Sequence, residues 1–291
     1  MIMKSIIEKM NCICCEKKSM EVYQDDSYLK LPIYFCKNCK LYVTGETEIE
    51  TKEKTEQLYK KSYWDERSSE ESINSDYTDI DSQGKYRQWV SQHKYCKPHL
   101  INKKKLLEIG SGPGQVLFWF NNLGIEVHGL EPDKRNAELI NKKIRKNICE
   151  VGIVEDFETS EKFDIIWSSH VFEHVLKPNF VLNKLKNYLK EDGILFLEVP
   201  NCENSKILFE SINNNPSTFH FSKFSLMKLA TDSGYEIIEC DYFRSAKMIE
   251  GGINKIKEKY LSFLKFEPYP YYPKIISNNI QGTDIRIILR N

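Results

Sequence analysis

From Lys103 onward, short apolar runs alternate with longer amphipathic ones, the period of a strand followed by the period of a helix. KKLLEIG reads as a first strand and Gly114 to Leu123 as a helix. IEVHGLEP is a second strand, and Asp133 to Lys146 a charged helix. CEVGIVEDF contains a third strand and FDIIWSSH a fourth, with Phe163, Ile165, Ile166 and Trp167 apolar almost in succession. Phe180 to Leu189 carries apolar residues at three-to-four spacing and is a helix. Asp192-Gly193 then turns into ILFLEVP, a fifth strand. Ser225 to Ser233 is a helix closed by Gly234, where a left-handed C-cap favours glycine. YEIIECDYF and DIRIILR supply a sixth and a seventh strand. Strands alternating with helices predict an α/β fold with a doubly wound, mostly parallel sheet of seven strands.

Upstream the pattern changes twice. Residues 1–45 hold short apolar runs and five of the nine cysteines, and form a small module. Residues 46–100 are polar and charged with aromatics spaced along them, a helical linker or lid. Residues 101–291 form the α/β domain. Within it, 244–281 is too long for a plain loop, so it is an insertion before the last strand with its own helix from Ile253 to Leu264 and part of a substrate pocket. EPYPYYP in that insertion is aromatic and stiffened by proline.

Composition narrows the function. The 291 residues are 41% hydrophobic and 29% charged, enough for a core and a soluble surface. Lys plus Arg equals Asp plus Glu at 42 each, so there is no basic excess of the kind a nucleic-acid footprint leaves. Nucleic acid is therefore not the expected partner. No stretch approaches the ~20 apolar residues of a membrane span, and MIMKSIIEKMNCICC lacks the apolar core of a signal peptide. The expectation is a cytoplasmic protein whose cysteines stay reduced.

Two features carry chemistry. Glu108-Ile109-Gly110-Ser111-Gly112-Pro113-Gly114 joins the first strand to its helix, and its glycines permit a tight turn and close backbone approach to a ligand. The spacing is G-x-G-x-G rather than the G-x-G-x-x-G of dinucleotide enzymes. Glu131 ends the second strand 21 residues after Gly110, where a carboxylate can accept hydrogen bonds from both hydroxyls of a ribose. The second feature is Cys12-x2-Cys15 and Cys36-x2-Cys39. Four thiolates on two knuckles fit a closed tetrahedral zinc site, structural because no position is left for water. A module this small needs such a metal to hold itself together. Cys14 is surplus, and Cys96, Cys149, Cys202 and Cys240 read as small buried side chains.

The glycine run with its acid resembles motif I of class I S-adenosylmethionine (SAM)-dependent methyltransferases, over roughly residues 103–243. That resemblance implies a Rossmann-like sheet with SAM as cofactor. It places Glu108, Gly110, Ser111, Gly112 and Gly114 along the methionine and ribose of SAM, and Glu131 on the ribose hydroxyls. Glu155, Asp156 and Phe157 fall on the adenine side, the acid at the amine and the ring against the base. Ser168-Ser169-His170-Val171-Phe172-Glu173-His174 resembles the segment beside the methyl group in the ubiquinone-biosynthesis-like branch, with Phe172 where that branch has Leu. Ser169 then lies beside the cofactor. SAM activates the methyl group, so the protein has to align the acceptor and remove a proton. His174 is the first choice of base and His170 the second. Glu173 orients one of them or joins His174 in holding a divalent cation. FHFSKFSL resembles that branch's H-x-x-F-S segment in compressed form, which makes His220 a further acceptor-side candidate, with Ser222 as helix N-cap and Asn201 nearby.

The stretch from the second cysteine pair onward, CKNCKLYVTGETEIETKEKTEQLYKKSYWDE, resembles methyltransferases with an N-terminal zinc-binding module, including the Tyr63-Trp64 pair. Lys40 stands where that group has Gly. Many of those enzymes act on sugars, which implies O-methylation of a sugar, nucleotide sugar or phosphorylated precursor of a surface polysaccharide. Tyr63, Tyr86 and Arg87 are candidates for contacts with cofactor carboxylate or acceptor phosphate. The competing readings are an RNA methyltransferase with a zinc ribbon, C-methylation of a keto-sugar, and a non-catalytic zinc-ribbon interaction protein.

Overall fold

The computed structural model describes residues 11–46, 48–61, 86–245, 274–277 and 280–291. The cysteine-rich segment forms three antiparallel strands, β1 (Met20–Gln24), β2 (Ile33–Cys36) and β3 (Leu41–Thr44). Helices α1 (Glu48–Lys61) and α2 (Tyr86–Cys96) follow. The expected alternation then appears as β4 (Lys105–Ile109), α3 (Gln115–Asn122), β5 (Glu126–Glu131), α4 (Lys134–Ile144), β6 (Cys149–Val151), β7 (Phe163–Ser169), α5 (Pro178–Tyr188), β8 (Leu189–Pro200), α6 (Ser205–Asn213), β9 (Phe219–His220), α7 (Lys223–Asp232), β10 (Glu236–Ser245), β11 (Lys274–Ser277) and β12 (Asp284–Arg290).

Among the described residues the main sheet has eight strands, in the order β11-β10-β12-β8-β7-β4-β5-β6. From β6 to β8 every pairing is parallel, and β12, β10 and β11 join antiparallel. The parallel strands read as nearly unbroken apolar runs because helices cover both faces. Leu106, Ile165, Trp167 and Phe196 pack into one core, while Leu107, Ile166, Leu195 and Leu197 pack into the other, as alternation along a strand requires.

The fold matches the expected doubly wound class, with three local differences. The sheet gains an eighth strand, β11, which the chain adds at the edge after the 244–281 excursion begins. The predicted helix 253–264 and the EPYPYYP tract lie outside the described residues. Asp192-Gly193 is no free turn: β8 already pairs at Leu189, and its register against β7 jumps from Phe163↔Leu189 to Ile165↔Ile194. The extra residues bulge there, and the strand resumes.

The cysteine module does not stand alone. Its sheet is completed by β9, which pairs antiparallel with β3 through Tyr42↔His220 and Val43↔Phe219. Cys12, Cys36, Cys39 and Val43 belong to the same apolar core as Phe219, Phe221 and Leu226. Helix α7 begins with a reciprocal cap in which Ser222 Oγ accepts from Ser225 N and Ser225 Oγ accepts from Ser222 N. The expected N-cap is therefore present, and it also binds the module: Ser222 Oγ lies 3.3 Å from the Cys39 carbonyl. Among the described residues, no helix is long and apolar enough to cross a membrane.

Candidate functional site

The order in which strands are added reverses between the parallel neighbours β4 and β7, so the crevice outside the carboxyl ends of these strands is the expected ligand position of an open α/β sheet. A cavity of about 310 Å³ opens there, within the usual ~300–1,000 Å³ of small-molecule sites. The glycine loop forms its floor. Gly110, Gly112 and Gly114 all have left-handed φ, at 72°, 51° and 89°. Gly110 N and Ser111 N both donate to the Leu130 carbonyl, tying the loop to β5. A Cβ on Gly110 would lie 2.2 Å from Val171 Cγ2, and one on Gly114 2.6 Å from Ile140 Cγ1, whereas Gly112 has nothing within 4 Å. Two glycines are thus demanded by packing and backbone, and the third leaves space open beside the cavity it lines.

Two buried carboxylates stand over this floor. Glu131 accepts from Gly112 N at 2.7 Å and from Asp133 N at 3.0 Å. Burial outweighs those donors and pushes its carboxyl up to about 7. Glu108 is held further above the ordinary range by burial and by the Glu131 charge. Glu108 Oε2 and Trp89 Nε1 are buried with no hydrogen-bond partner among the described residues, and both residues line the cavity. Orphaned polar atoms facing a pocket fit a ligand with complementary groups. Gly110, Ser111, Gly112, Glu108 and Glu131 therefore come together as expected. Gly114 sits just beyond the cavity lining, as the left-handed residue before α3.

Of the three residues assigned to the adenine side, the cavity lining includes one. Glu155 lines the cavity, with its Oε1 accepting from Leu176 N at 2.9 Å. Asp156 points to solvent and Phe157 into the core. The Phe157 ring meets Tyr188 edge-on at 5.8 Å, and its carbonyl accepts from the Tyr188 hydroxyl. The reason is that β6 ends at Val151, so the chain turns three residues earlier than the apolar pattern implies. Ile153 and Val154 line the cavity in place of Asp156 and Phe157.

On the opposite wall stand Ser169, His170, Val171 and His174. His170 is also left-handed, at φ 54°. Its Nε2 lies 3.1 Å from Glu198 Oε1 and 3.5 Å from Asp284 Oδ1, and its Nδ1 lies 3.6 Å from Glu173 Oε1. Burial disfavours the charged ring, but the Glu173 and Glu198 carboxylates prevail and raise it to about 10. An imidazolium at neutral pH has no lone pair to offer, which removes His170 as the second-choice base. Glu198 is in turn bonded to Arg286 and to Gln92 Nε2, which also reaches Ser169 Oγ at 2.9 Å. His170, Glu198 and Asp284 bring ligand atoms within 4.8 Å of one another. With Arg286 and Gln92 already on Glu198, the group is an ion network. His174 has its Nδ1 3.1 Å from the Pro216 carbonyl and its Nε2 3.8 Å from Glu173 Oε1. Glu173 and His174 are not part of any three-ligand group found among the described residues.

His220 is not at the cavity. It is fully buried between the module and α6, with Nε2 3.1 Å from Thr44 Oγ1 and Nδ1 2.8 Å from Ser211 Oγ. Burial holds its pKa down at about 3, so it is a neutral, structural histidine rather than an acceptor-side one. Its folded pKa lies below the unfolded 6.5, so the unfolded chain binds more protons below pH 6.5 and stability falls with acidification. The expected loss from pH 6.5 to 5 is about 2 kcal/mol from this residue. Urea denaturation at the two pH values, with His220→Gln flattening the difference, checks it. Asn201 is likewise structural, its Nδ2 donating to the Ile280 and Gly282 carbonyls. Tyr63 and Trp64 lie outside the described residues, as do the side chains of Tyr86 and Arg87.

At the other end, one sulfur from each of Cys12, Cys15, Cys36 and Cys39 lies within 4.8 Å of the others. Both knuckles close in the same way: Glu16 N donates to Cys12 O, and Lys40 N donates to Cys36 O. Glu16 and Lys40 are left-handed, at φ 58° and 52°, which accounts for Gly being favoured where Lys40 stands. Burial and neighbouring sulfurs raise the Cys12 and Cys39 thiols. The four clustered sulfurs fit a divalent cation that would hold them in the thiolate form. Cys14 points elsewhere, its Sγ 3.6 Å from the Ser225 carbonyl.

Several site residues escaped the sequence reading: Trp89, Gln92, Glu198, Asp284 and Arg286. A signal existed for two of them, since Glu198 and Arg286 are charges set inside apolar strands.

Sheet order, glycine loop and switch-point cavity define a Rossmann-like α/β methyltransferase fold. The chain belongs to the methyltransferase-domain family, whose profile matches residues 81–240. It is 38% identical over 139 residues to the ubiquinone biosynthesis O-methyltransferase of Glaesserella parasuis serovar 5 (strain SH0165), covering 39% of this chain and 58% of that protein. It is 27% identical over 182 residues to the mitochondrial ubiquinone biosynthesis O-methyltransferase of Homo sapiens, covering 56% and 47%. The chain thus spans about half the length of the curated relatives it matches. Among solved structures, a SAM-dependent methyltransferase from Archaeoglobus fulgidus superposes with a TM-score of 0.52 at 15% identity, covering 71% of this chain and 94% of the other. The plantazolicin methyltransferase BpumL in complex with SAH gives 0.51 at 15% identity, covering 83% and 99%. These likenesses concern the fold.

Proposed function

We propose that this protein is a SAM-dependent methyltransferase that methylates a hydroxyl oxygen of a small polar acceptor, a sugar, nucleotide sugar or phosphorylated sugar. One observation carries the methyl-transfer reading: the glycine loop, the Glu108 and Glu131 carboxylates and His174 line a single cavity at the switch point. SAM, when bound, supplies an activated methyl group. Glu131 accepts from the ribose hydroxyls, and the backbone of Gly110 to Gly112 admits the ligand closely. His174 takes the proton from the acceptor hydroxyl at Nε2, since its Nδ1 faces the Pro216 carbonyl. His170 stays charged and holds Glu173 and Glu198 in place. The four-cysteine cluster holds a structural zinc.

The sugar acceptor rests on the resemblance of the cysteine module to that of sugar-modifying enzymes. The relatives named ubiquinone biosynthesis O-methyltransferases favour a second reading, a phenolic acceptor. Transfer from labelled SAM to a nucleoside-diphosphate sugar, a hexose phosphate and a catechol separates the two. Absence of SAM binding in calorimetry would sink both.

Glu131 also sets a pH dependence. Its folded pKa is raised to about 7 from 4.5, so it is increasingly protonated below pH 7 and loses acceptor capacity for the ribose. SAM affinity is expected to weaken by up to about tenfold per pH unit below 7. Calorimetry from pH 8 to 5.5 reads the slope, and Glu131→Gln should be uniformly weak and flat.

A further inference from the structure

Between the cysteine module and the proposed base lies one short segment, Pro216 to His220, and its hydrogen bonds run both ways. Toward the module, Thr44 N donates to the Thr218 carbonyl at 2.9 Å and Thr44 Oγ1 to the Ser217 carbonyl at 2.8 Å. β9 continues that pairing along β3. Toward the cavity, Thr218 N donates to the Glu173 carbonyl at 2.8 Å. Thr218 Oγ1 lies 2.9 Å from that same carbonyl and 2.7 Å from the Val175 carbonyl. Thr218 is 1% exposed, so water cannot replace these bonds. The residues on either side of His174 are therefore both held by Thr218, Glu173 through its N–H and Val175 through its hydroxyl, and the ring itself is met by Pro216. A carbonyl oxygen only accepts, so the 3.1 Å contact from Nδ1 puts the proton on Nδ1 and leaves the lone pair on Nε2.

We infer that Thr218 is a positioning residue for the reaction, and that through Thr44 the metal-bound cysteine module sets the tautomer and orientation of His174. The module thus acts on the base about which the domain is built, as well as on its own stability. This rests on the proposed role of His174, but its test does not need an acceptor.

The experiment is nitrogen NMR of the His174 ring in the full chain loaded with zinc, with SAM affinity measured beside it. The native protein should show a single neutral form protonated at Nδ1. Thr218→Val, which keeps shape and loses the hydroxyl, should give a mixture of the two tautomers while the SAM dissociation constant stays within about threefold. Thr218→Ser should restore the single form. Thr44→Val and zinc-stripped wild-type protein should show the mixture too, which keeps the test decisive if Thr218→Val fails to fold. A ring protonated at Nε2 in the native protein overturns the inference, as does an unchanged tautomer in Thr44→Val and zinc-stripped protein. Loss of SAM binding in wild type with the tautomer intact would instead count against the methyltransferase reading alone.

Discussion

Gly110→Ala will remove measurable SAM binding and destabilise the fold by roughly 2–4 kcal/mol. Two penalties add. The position has φ 72°, which costs a non-glycine residue on the order of 1–2 kcal/mol. The new Cβ would sit 2.2 Å from Val171 Cγ2 and 3.3 Å from two further Val171 atoms. Val171 is partly buried against the core and lines the cavity between His170 and His174, so it can give way only by moving that wall. Gly112→Ala is the informative comparison. Its φ is 51° but its Cβ would touch nothing within 4 Å. Stability should fall by about 1–2 kcal/mol, and any loss of SAM affinity then reports on ligand approach. Calorimetry and urea melts on both variants decide the matter. A Gly110→Ala protein that binds SAM within threefold of wild type would mean that the loop is not the cofactor floor.

Removing the metal should have the second-largest effect. Cys36→Ser, or chelation of the purified protein, is expected to take zinc from one equivalent to none. The cost is several kcal/mol, because structural zinc supplies folding energy directly, and the melting temperature should drop by about 10 °C. The loss should not stop at the module. Cys12, Cys36 and Cys39 share a core with Val43, Phe219 and Phe221, and β9 depends on β3 for its pairing. Hydrogen exchange should therefore rise in residues 33–44 and also in 217–222, while β4 and β5 stay protected. Metal analysis that finds no zinc, together with a melting temperature indifferent to chelator, would refute the site.

Much of this was legible in the chain. The strands from β4 to β8 were legible in runs such as LLEIG, FDIIWSS and ILFLEVP, because parallel strands buried on both faces must be apolar throughout. The glycine loop was legible for a local reason: three left-handed positions in five residues admit little but glycine. The two cysteine pairs were legible because two C-x2-C knuckles are the spacing that a four-sulfur metal site requires. Less visible were β11, whose segment pairs only once β10 offers an edge, and the true end of β6, where an apolar run continues past the strand and turns Phe157 inward.

The histidines divide on the same line. His170, His174 and His220 are identical in the sequence, each polar and each near an apolar run, and the chain alone supports all three as acceptor-side candidates. Packing separates them. Three carboxylates from separate segments, Glu173, Glu198 and Asp284, converge on His170, and the first two raise its pKa. Complete burial against Thr44 and Ser211 neutralises His220. His174 lines the cavity with its Nδ1 on the Pro216 carbonyl and its Nε2 3.8 Å from Glu173 Oε1. By itself the sequence determined the sheet, the glycine turn and the cysteine spacing, since these depend on neighbours in the chain and on local sterics. The tertiary structure alone decided the surroundings and exposure of each of these histidines, because Glu198 and Asp284 at His170, Pro216 at His174 and Thr44 at His220 lie tens of residues away along the chain and meet them only when it folds.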